Sequence, residues 1–199
     1  ENLMANLSIK RPRIVVTGAL CYLGQHLWRR LLNDNWHPIA LVRTGSEQRA
    51  HAFDIPVEDL CSLPVNPRDW VNFLTDLAPD AAIHLAAVNT NRTFVQEDML
   101  AIQLTNVYLP VCLSQALART LEKSANRLVP LIIAGSHWQT VDGRPNCPLN
   151  YYAASKQAAE ELLRPAEIRE AGVRVVALRL GDVYGPRDPR KKFLNLVIT

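Results

Sequence analysis

Short runs of β-branched and aliphatic residues punctuate the chain at 13–17, 38–42, 81–85, 128–133 and 173–178. Each is too short for a helix, and longer segments of helical period separate them, so the alternation predicts a parallel sheet with helices packed against it. The segment 22–32 carries Leu23, Leu27, Leu31 and Leu32 on one face, and 68–77 repeats the spacing with Trp70, Phe73, Leu74 and Leu77. Both read as amphipathic helices. A third helix is expected over 96–122, where Pro110 must bend it or mark a break. A fourth is expected over 151–171, stopped by Gly172. Loops are expected at 44–47, 62–67 and 139–150, the last rich in Gly143, Pro145 and Pro148.

Composition narrows the class. The chain has 199 residues, 48% hydrophobic and 21% charged, which suffices for one substantial core. A net charge of +3, with Arg190-Lys191-Lys192 as the longest basic run, does not point to nucleic acid. No apolar run approaches the roughly 18 residues of a membrane span, and no secretory signal opens the chain, so the expectation is a cytoplasmic protein with no membrane partner. Cys21, Cys61, Cys112 and Cys147 form no C-x-x-C pair or His/Cys cluster, so they read as isolated thiols and no metal site is expected.

The chemistry concentrates in a few places. "VVTGALCYLG" reads as a buried strand, a tight turn and a helix start, an arrangement that aims backbone N–H groups and a helix dipole at one point and suits a pyrophosphate. Thr17, Gly18 and Gly24 supply the turn and the close helix packing, while Cys21 stands where the backbone comes nearest the phosphates. At the end of the second strand, Arg43 offers a guanidinium to a ribose 2′-phosphate, favouring NADP(H) over NAD(H), with NAD(H) still open; the alternative is a solvated arginine at a loop start. In "YYAASK", Tyr152 and Lys156 are four apart and share a helix face. Ser136 follows a predicted strand and falls at the carboxyl edge of the sheet, where such folds bind cofactors. A tyrosine has an ordinary pKa of about 10, and lowering it by ~3 units requires roughly 4 kcal/mol, which a nearby ammonium and an oxidised nicotinamide can supply. Ser136 would hydrogen-bond the reacting oxygen.

These pieces occur in one order: "TGALCYLG", "DAAIHLAA", Asn106-Val107, Ser136, "PLNYYAASK" and "LRLGDVYGP". In that order the chain resembles an extended short-chain dehydrogenase/reductase, of the NAD-dependent epimerase/dehydratase family. The resemblance implies an α/β, Rossmann-like, doubly wound parallel sheet with helices on both faces, over residues 10–186. Residues 187–199 would begin a substrate-binding region that is mostly absent. It implies that Ser136, Tyr152 and Lys156 are catalytic, with Lys156 also on the nicotinamide ribose. Thr17, Gly18, Cys21, Tyr22, Leu23, Gly24 and Arg43 would bind cofactor at the turn and second strand. Leu85, Ala86 and Ala87 would line the cleft, Asp59 and Leu60 would meet the adenine, with Asp54 a weaker candidate, and Leu180 and Val183 would run beside the nicotinamide. Asp182 and Ser136 would face the substrate, Tyr152 and Lys156 would also touch the cofactor, and Asn106 would bind cofactor or else only tie helix to sheet. A homodimer through the Asn106 and Tyr152 helices is also implied.

Family dehydratases carry an acidic pair directly after the Ser/Thr, whereas this chain has His137 and Trp138, which disfavours 4,6-dehydration. "GSHWQ", "PLNYYAASKQAAE" and "DVYGPRDPRKK" are similar to the branch of CDP-abequose-synthase-like nucleotide-sugar 4-ketoreductases. Asp188, Arg190 and Lys192 then suit a diphosphate or cofactor contact, or else a solvated basic tail. The expected activity is reduction of a 4-keto nucleotide sugar; the alternatives are an epimerase using the same residues and a non-catalytic NAD(P)-binding sensor or scaffold. Cys21 is expected to weaken cofactor binding without abolishing it, because its side chain adds bulk and favours ordinary φ angles.

Overall fold

The computed structural model describes residues 11–53, 55–89, 96–121, 128–169, 172–186, 188 and 190. Six parallel strands form one sheet in the order β3-β2-β1-β4-β5-β6. They are β1 (Arg13–Thr17), β2 (His37–Arg43), β3 (Leu60–Leu63), β4 (Ala81–His84), β5 (Val129–Ser136) and β6 (Val173–Leu180). The order reverses between β1 and β4, which opens a crevice at the carboxyl ends of the strands. Five of the strands are those expected from the apolar runs. The sixth, β3, is four residues long with only Leu63 buried, and it takes up part of the expected 62–67 loop. Its pairing is set by the free edge of β2, not by a pattern of its own.

Alternation along the strands sorts the core into two layers. Val15, Ile39, Leu41, Ala82, Leu131 and Ile133 face α2 (Trp70–Asp76), α4 (Leu109–Leu121) and α5 (Tyr151–Arg169), meeting Trp70, Leu74, Leu113, Leu117 and Leu163. Ile14, Val16, Ala40, Ala81 and Ile83 face the other way, onto α1 (Tyr22–Asn33) and the turns at Ala50 and Ile55. Helices therefore cover both faces. The buried stripe of α1 is Gly24, Trp28 and Leu31, which shares Leu31 with the expected Leu23/Leu27/Leu31/Leu32 face but is turned away from it; Leu32 is exposed. Burying an indole outweighs aligning one more leucine, since the larger apolar area gives the larger transfer free energy.

Pro110 does not break its helix. The segment α3 (Gln96–Ile102) runs through a π-helical stretch, Gln103–Tyr108, directly into α4. In that wide turn the Leu109 N–H bonds the Leu104 carbonyl, and Pro110, having no N–H, leaves the Thr105 carbonyl without a helical donor. The widened register absorbs the proline that a regular α-helix would reject. Gln96–Leu121 is long and apolar enough to cross a membrane by length and composition, but half of that surface is buried within the protein. The expected ends of this helix at Glu122 and of α5 at Ala171, together with Asp54 and Lys192, lie outside the described residues.

Candidate active site

At the carboxyl edge, β1 enters the turn through Gly18, whose φ of +74° only glycine adopts readily. A Cβ at Gly18 would lie 2.6 Å from the Ala86 backbone nitrogen, and one at Gly24 would lie 2.2 Å from the Gly18 carbonyl oxygen. The two glycines thus allow the turn to lie against the β4 end and α1 to lie against the turn. Cys21 is different. It is the N-cap of α1 with an extended backbone, φ −87° and ψ 167°, and its Sγ accepts the Gly24 N–H at 3.3 Å. The expected conformational penalty is therefore absent: the position uses angles that any residue adopts. Among the described residues, the Tyr22 and Leu23 N–H groups have no protein acceptor. Two free donors at the positive end of a twelve-residue helix fit a diphosphate.

Thr17 binds this turn to β4. Its hydroxyl lies 2.8 Å from His84 Nδ1 and accepts the Ala86 N–H at 3.2 Å. With Thr17 donating to Nδ1, the His84 proton sits on Nε2, which points towards the Thr105 backbone without closing an ordinary hydrogen bond. Burial, then the nearby Lys156 charge, holds the imidazole well below its ordinary pKa, so it is neutral.

Arg43 is exposed at the carboxyl end of β2, beside the turn. Asp59 and Leu60 are not there. Asp59 ends the short 3-10 turn before β3 and Leu60 begins the strand level with Ala40, and the Asp59 carboxylate is bound to His37 Nε2 at 2.8 Å at the start of β2. The expected adenine pair is therefore displaced towards the amino end of the sheet. The residues that reach the edge level with Arg43 and beyond are Leu63, Pro64 and Val65, anchored by the Trp70 indole N–H on the Pro64 carbonyl at 2.8 Å.

The other half of the site is built from side chains. Ser136 ends β5 and is buried; its Oγ accepts the Trp138 N–H at 3.2 Å, and its own N–H donates to Gln139 Oε1 at 2.7 Å. Gln139, fully buried, donates to Glu160 at 2.7 Å, and Glu160 is paired with Arg179 of β6 at 2.7 Å. Asn150 starts α5 by accepting the Ala153 N–H, which sets Tyr152 and Lys156 one turn apart. Lys156 is 3% exposed, with its Nζ 5.8 Å from the centre of the Tyr152 ring, and Trp138 meets that ring edge-on.

Asn106, in the π-helical stretch, does more than join helix to sheet. Its amide takes the Val88 N–H at 2.8 Å, returns a bond to the Val88 carbonyl at 2.9 Å and donates to Ser155 Oγ at 2.9 Å; Ser155 in turn donates to the Tyr152 carbonyl. One buried amide thereby links the loop of Ala86 and Ala87 to the turn of helix that carries Tyr152. Leu180 pairs with Ser136 across the β5/β6 edge, and Asp182 lies in exposed coil beyond it. The segment after β6 folds back over α1: Tyr22 Oη donates to the Pro186 carbonyl, and the Arg190 guanidinium lies 5.3 Å over the Tyr22 ring while bonding the Val183 carbonyl and Asp188.

Burial lowers the Lys156 pKa to about 8, with Glu160 opposing that fall. Burial also pushes the Tyr152 phenol up, the reverse of the lowering expected for an activated tyrosine. The rise makes the phenol a weaker acid, so donation from Tyr152 depends on positive charge placed beside it. Gln139, Glu160 and Arg179 are the residues that sequence reasoning missed. The one available signal was Glu160 four residues after Lys156, on the same helix face.

The sequence model of the NAD dependent epimerase/dehydratase family matches residues 14–199. A dTDP-glucose 4,6-dehydratase of Actinoplanes sp. is 32% identical over 127 residues, covering 60% of this chain and 38% of that protein. A ceramide reductase of Caulobacter vibrioides is 31% identical over 186 residues, covering 89% of this chain and 48% of that one. The chain therefore spans about half or less of the length of these two relatives. Among solved structures, a UDP-glucose 4-epimerase of Thermotoga maritima superposes with a TM-score of 0.66 at 18% identity, covering 88% of this chain and 57% of that one.

Proposed function

The chain belongs to the NAD dependent epimerase/dehydratase family, and from that premise we propose that it serves an NAD(P)-dependent oxidoreductase that reduces the 4-keto group of a nucleotide-linked deoxyhexulose, in the manner of CDP-abequose-synthase-like reductases. The observation that carries the reading is the placement of the Tyr152 ring 5.8 Å from the buried Lys156 Nζ, on the helix that follows the buried Ser136 at the end of β5. Residues 10–186 form the dinucleotide-binding unit in this reading, and 187–199 begin the substrate region.

The cofactor is NADP(H), with NAD(H) as the second possibility. Tyr22 and Leu23 N–H groups take its diphosphate, and Arg43 takes the 2′-phosphate. When bound, it supplies the hydride to the carbonyl carbon. Tyr152 Oη gives its proton to the carbonyl oxygen, Ser136 Oγ holds that oxygen by a hydrogen bond, and the Lys156 ammonium steadies the resulting phenolate. His137 and Trp138 offer no carboxylate after Ser136, which separates this chain from the dehydration that its Actinoplanes relative is named for. The reductase name of the Caulobacter relative, which this chain matches over 89% of its own length, fits reduction. The four free cysteines suit a reducing compartment such as the cytoplasm. A homodimer through the Asn106 and Tyr152 helices completes the reading.

Tyr152→Phe is the test. It should lower NADPH-dependent turnover of 4-keto nucleotide sugars by about 10²- to 10⁴-fold, with the NADPH dissociation constant unchanged. Turnover that survives the substitution rules out Tyr152 as the donor. Nucleotide that co-purifies, with no net NADPH consumption, assigns the chain to epimerisation; NADPH binding by the unsubstituted protein without turnover of any such sugar assigns it to sensing.

A further inference from the structure

Lys156 is a buried cation, and Ser136 ends a strand whose next residues turn sharply into a short 3-10 helix. Neither group holds itself in place. The Ser136 N–H is held by Gln139 Oε1, and Gln139, with no exposed surface, is held by Glu160. Glu160 lies one helical turn beyond Lys156, its side chain 11% exposed, and it also receives both the Nε and Nη2 of Arg179 from β6. The backbone makes room for this arrangement: a Cβ at Gly135 would lie 2.7 Å from Gln139 Oε1 and 3.0 Å from Glu160 Oε1. A carboxylate largely withdrawn from water is costly unless it is paired and hydrogen-bonded, so its location answers a specific need.

We infer that Glu160 is a positioning residue for the site: its carboxylate, shared between Gln139 and Arg179, holds the Ser136 turn in register and supplies the counter-charge that keeps the buried Lys156 an ammonium. This rests on the reading of Ser136 and Lys156 as working groups, and extends it to a residue that touches neither substrate nor cofactor. The charged and titratable groups around Lys156 are Tyr152 and Glu160 on its own helix, His84 on β4 and, through Glu160, Arg179 on β6. His84 is neutral and Tyr152 protonated, so Glu160 is the anion among them. Arg179 competes for that anion.

The competition gives a test of opposite signs. The lysines are Lys10, Lys123, Lys156, Lys191 and Lys192, so the Lys156 side-chain carbon resonance is assignable by its loss in Lys156→Met. In the unsubstituted protein it should titrate at about 8. Glu160→Gln, which keeps an acceptor for Gln139 but removes the charge, should lower that midpoint by about one pH unit and leave Ser136 amide exchange protected. Arg179→Met, which frees the carboxylate, should raise it. Glu160→Ala should lower the midpoint and also accelerate Ser136 amide exchange about tenfold. Midpoints that stay fixed, or move in the same direction in Glu160→Gln and Arg179→Met, overturn the inference, as does a Ser136 amide indifferent to Glu160→Ala. Should Glu160→Gln fail to fold, the Arg179→Met midpoint decides alone. Failure of the unsubstituted protein to bind NADPH would sink the cofactor reading and leave these titrations standing.

Discussion

The two halves of the site are shaped by different physics. The turn between β1 and α1 is defined by missing atoms: at Gly18 and Gly24 any Cβ would lie under 3 Å from a backbone atom, and the turn makes only one hydrogen bond to a side chain of its own, the Gly24 N–H on Cys21 Sγ. The corner of Ser136, Tyr152 and Lys156 is defined by present ones. Ser136, Gln139, Ser155, Lys156 and Asn106 are all buried polar side chains, and hydrogen bonds account for the positions of Ser136, Gln139, Ser155 and Asn106. A backbone-shaped site tolerates changes of side chain wherever φ and space are ordinary and fails where they are not. A side-chain-shaped site fails whenever a partner is lost, because the abandoned group stays buried.

The contrast breaks most sharply at Gly24. Gly24→Ala places a methyl 2.2 Å from the Gly18 carbonyl oxygen and 2.7 Å from Ala19 Cα, both backbone atoms that cannot rotate away. The expected cost is about 3 kcal/mol of stability by denaturant unfolding, with NADPH affinity reduced at least about tenfold as the turn opens. Gly181→Ala is the control, since nothing lies within 4 Å of its Cβ position. Equal unfolding midpoints for the two variants would refute the steric account of the turn.

For the corner, Lys156 carries a linkage that can be measured without substrate. Its pKa in the folded protein, about 8, is below the ordinary 10.5, so the unfolded chain binds the proton more tightly than the native state does. The native state is therefore penalised at neutral pH, and stability should rise as pH increases from about 8 to 10.5, by about 3 kcal/mol in all. Lys156→Met should be more stable than the unsubstituted protein at pH 7 and should lack this rise. Denaturation curves across the window, taken as the difference between the two proteins, isolate the lysine from the other groups that titrate there. A difference that stays constant with pH means that Lys156 is not buried as a strained cation.

Asn106→Ala sharpens the same side of the comparison with a smaller effect. It strands the Val88 N–H and carbonyl together with Ser155 Oγ, at about 2 kcal/mol of stability. Because Ser155 bonds the Tyr152 carbonyl, turnover should fall further than folding explains. An Asn106→Ala protein with full turnover per folded molecule would show that the amide serves the fold alone.

What could be read from the chain follows the same division. Five strands, the Gly18 and Gly24 turn and the Tyr152–Lys156 spacing were legible because each is local, a run or a fixed offset within one element. The strand β3 was not, because four residues with a single buried side chain carry no period, and the adenine contact expected at Asp59 and Leu60 falls short of the edge that Leu63 to Val65 occupy. Pro110 was legible as an anomaly but not in its outcome, because whether a helix breaks or widens is decided by what its freed groups can reach. Glu160 is the instructive case. A glutamate on an amphipathic helix reads as a solvated charge, and only the approach of β6 and of the turn after β5, each about 20 residues away in sequence, buries it.

The smallest expected effect returns to the turn. Cys21 occupies the place of a family glycine, yet its φ of −87° makes no demand for one, and its Sγ lies on the Gly24 N–H at the helix's own N-terminus. Cys21→Gly removes a weak cap and loosens the unfolded chain, so it should cost less than about 1 kcal/mol of stability. Cys21→Ser, which restores an N-cap oxygen, should be at least as stable as the native chain. On the backbone account, neither variant changes the NADPH dissociation constant by more than about threefold, a difference worth under 1 kcal/mol. A tenfold gain in affinity for Cys21→Gly would mean that the thiol obstructs the phosphates through bulk alone, and that at this one position a side chain, not the backbone, limits the turn.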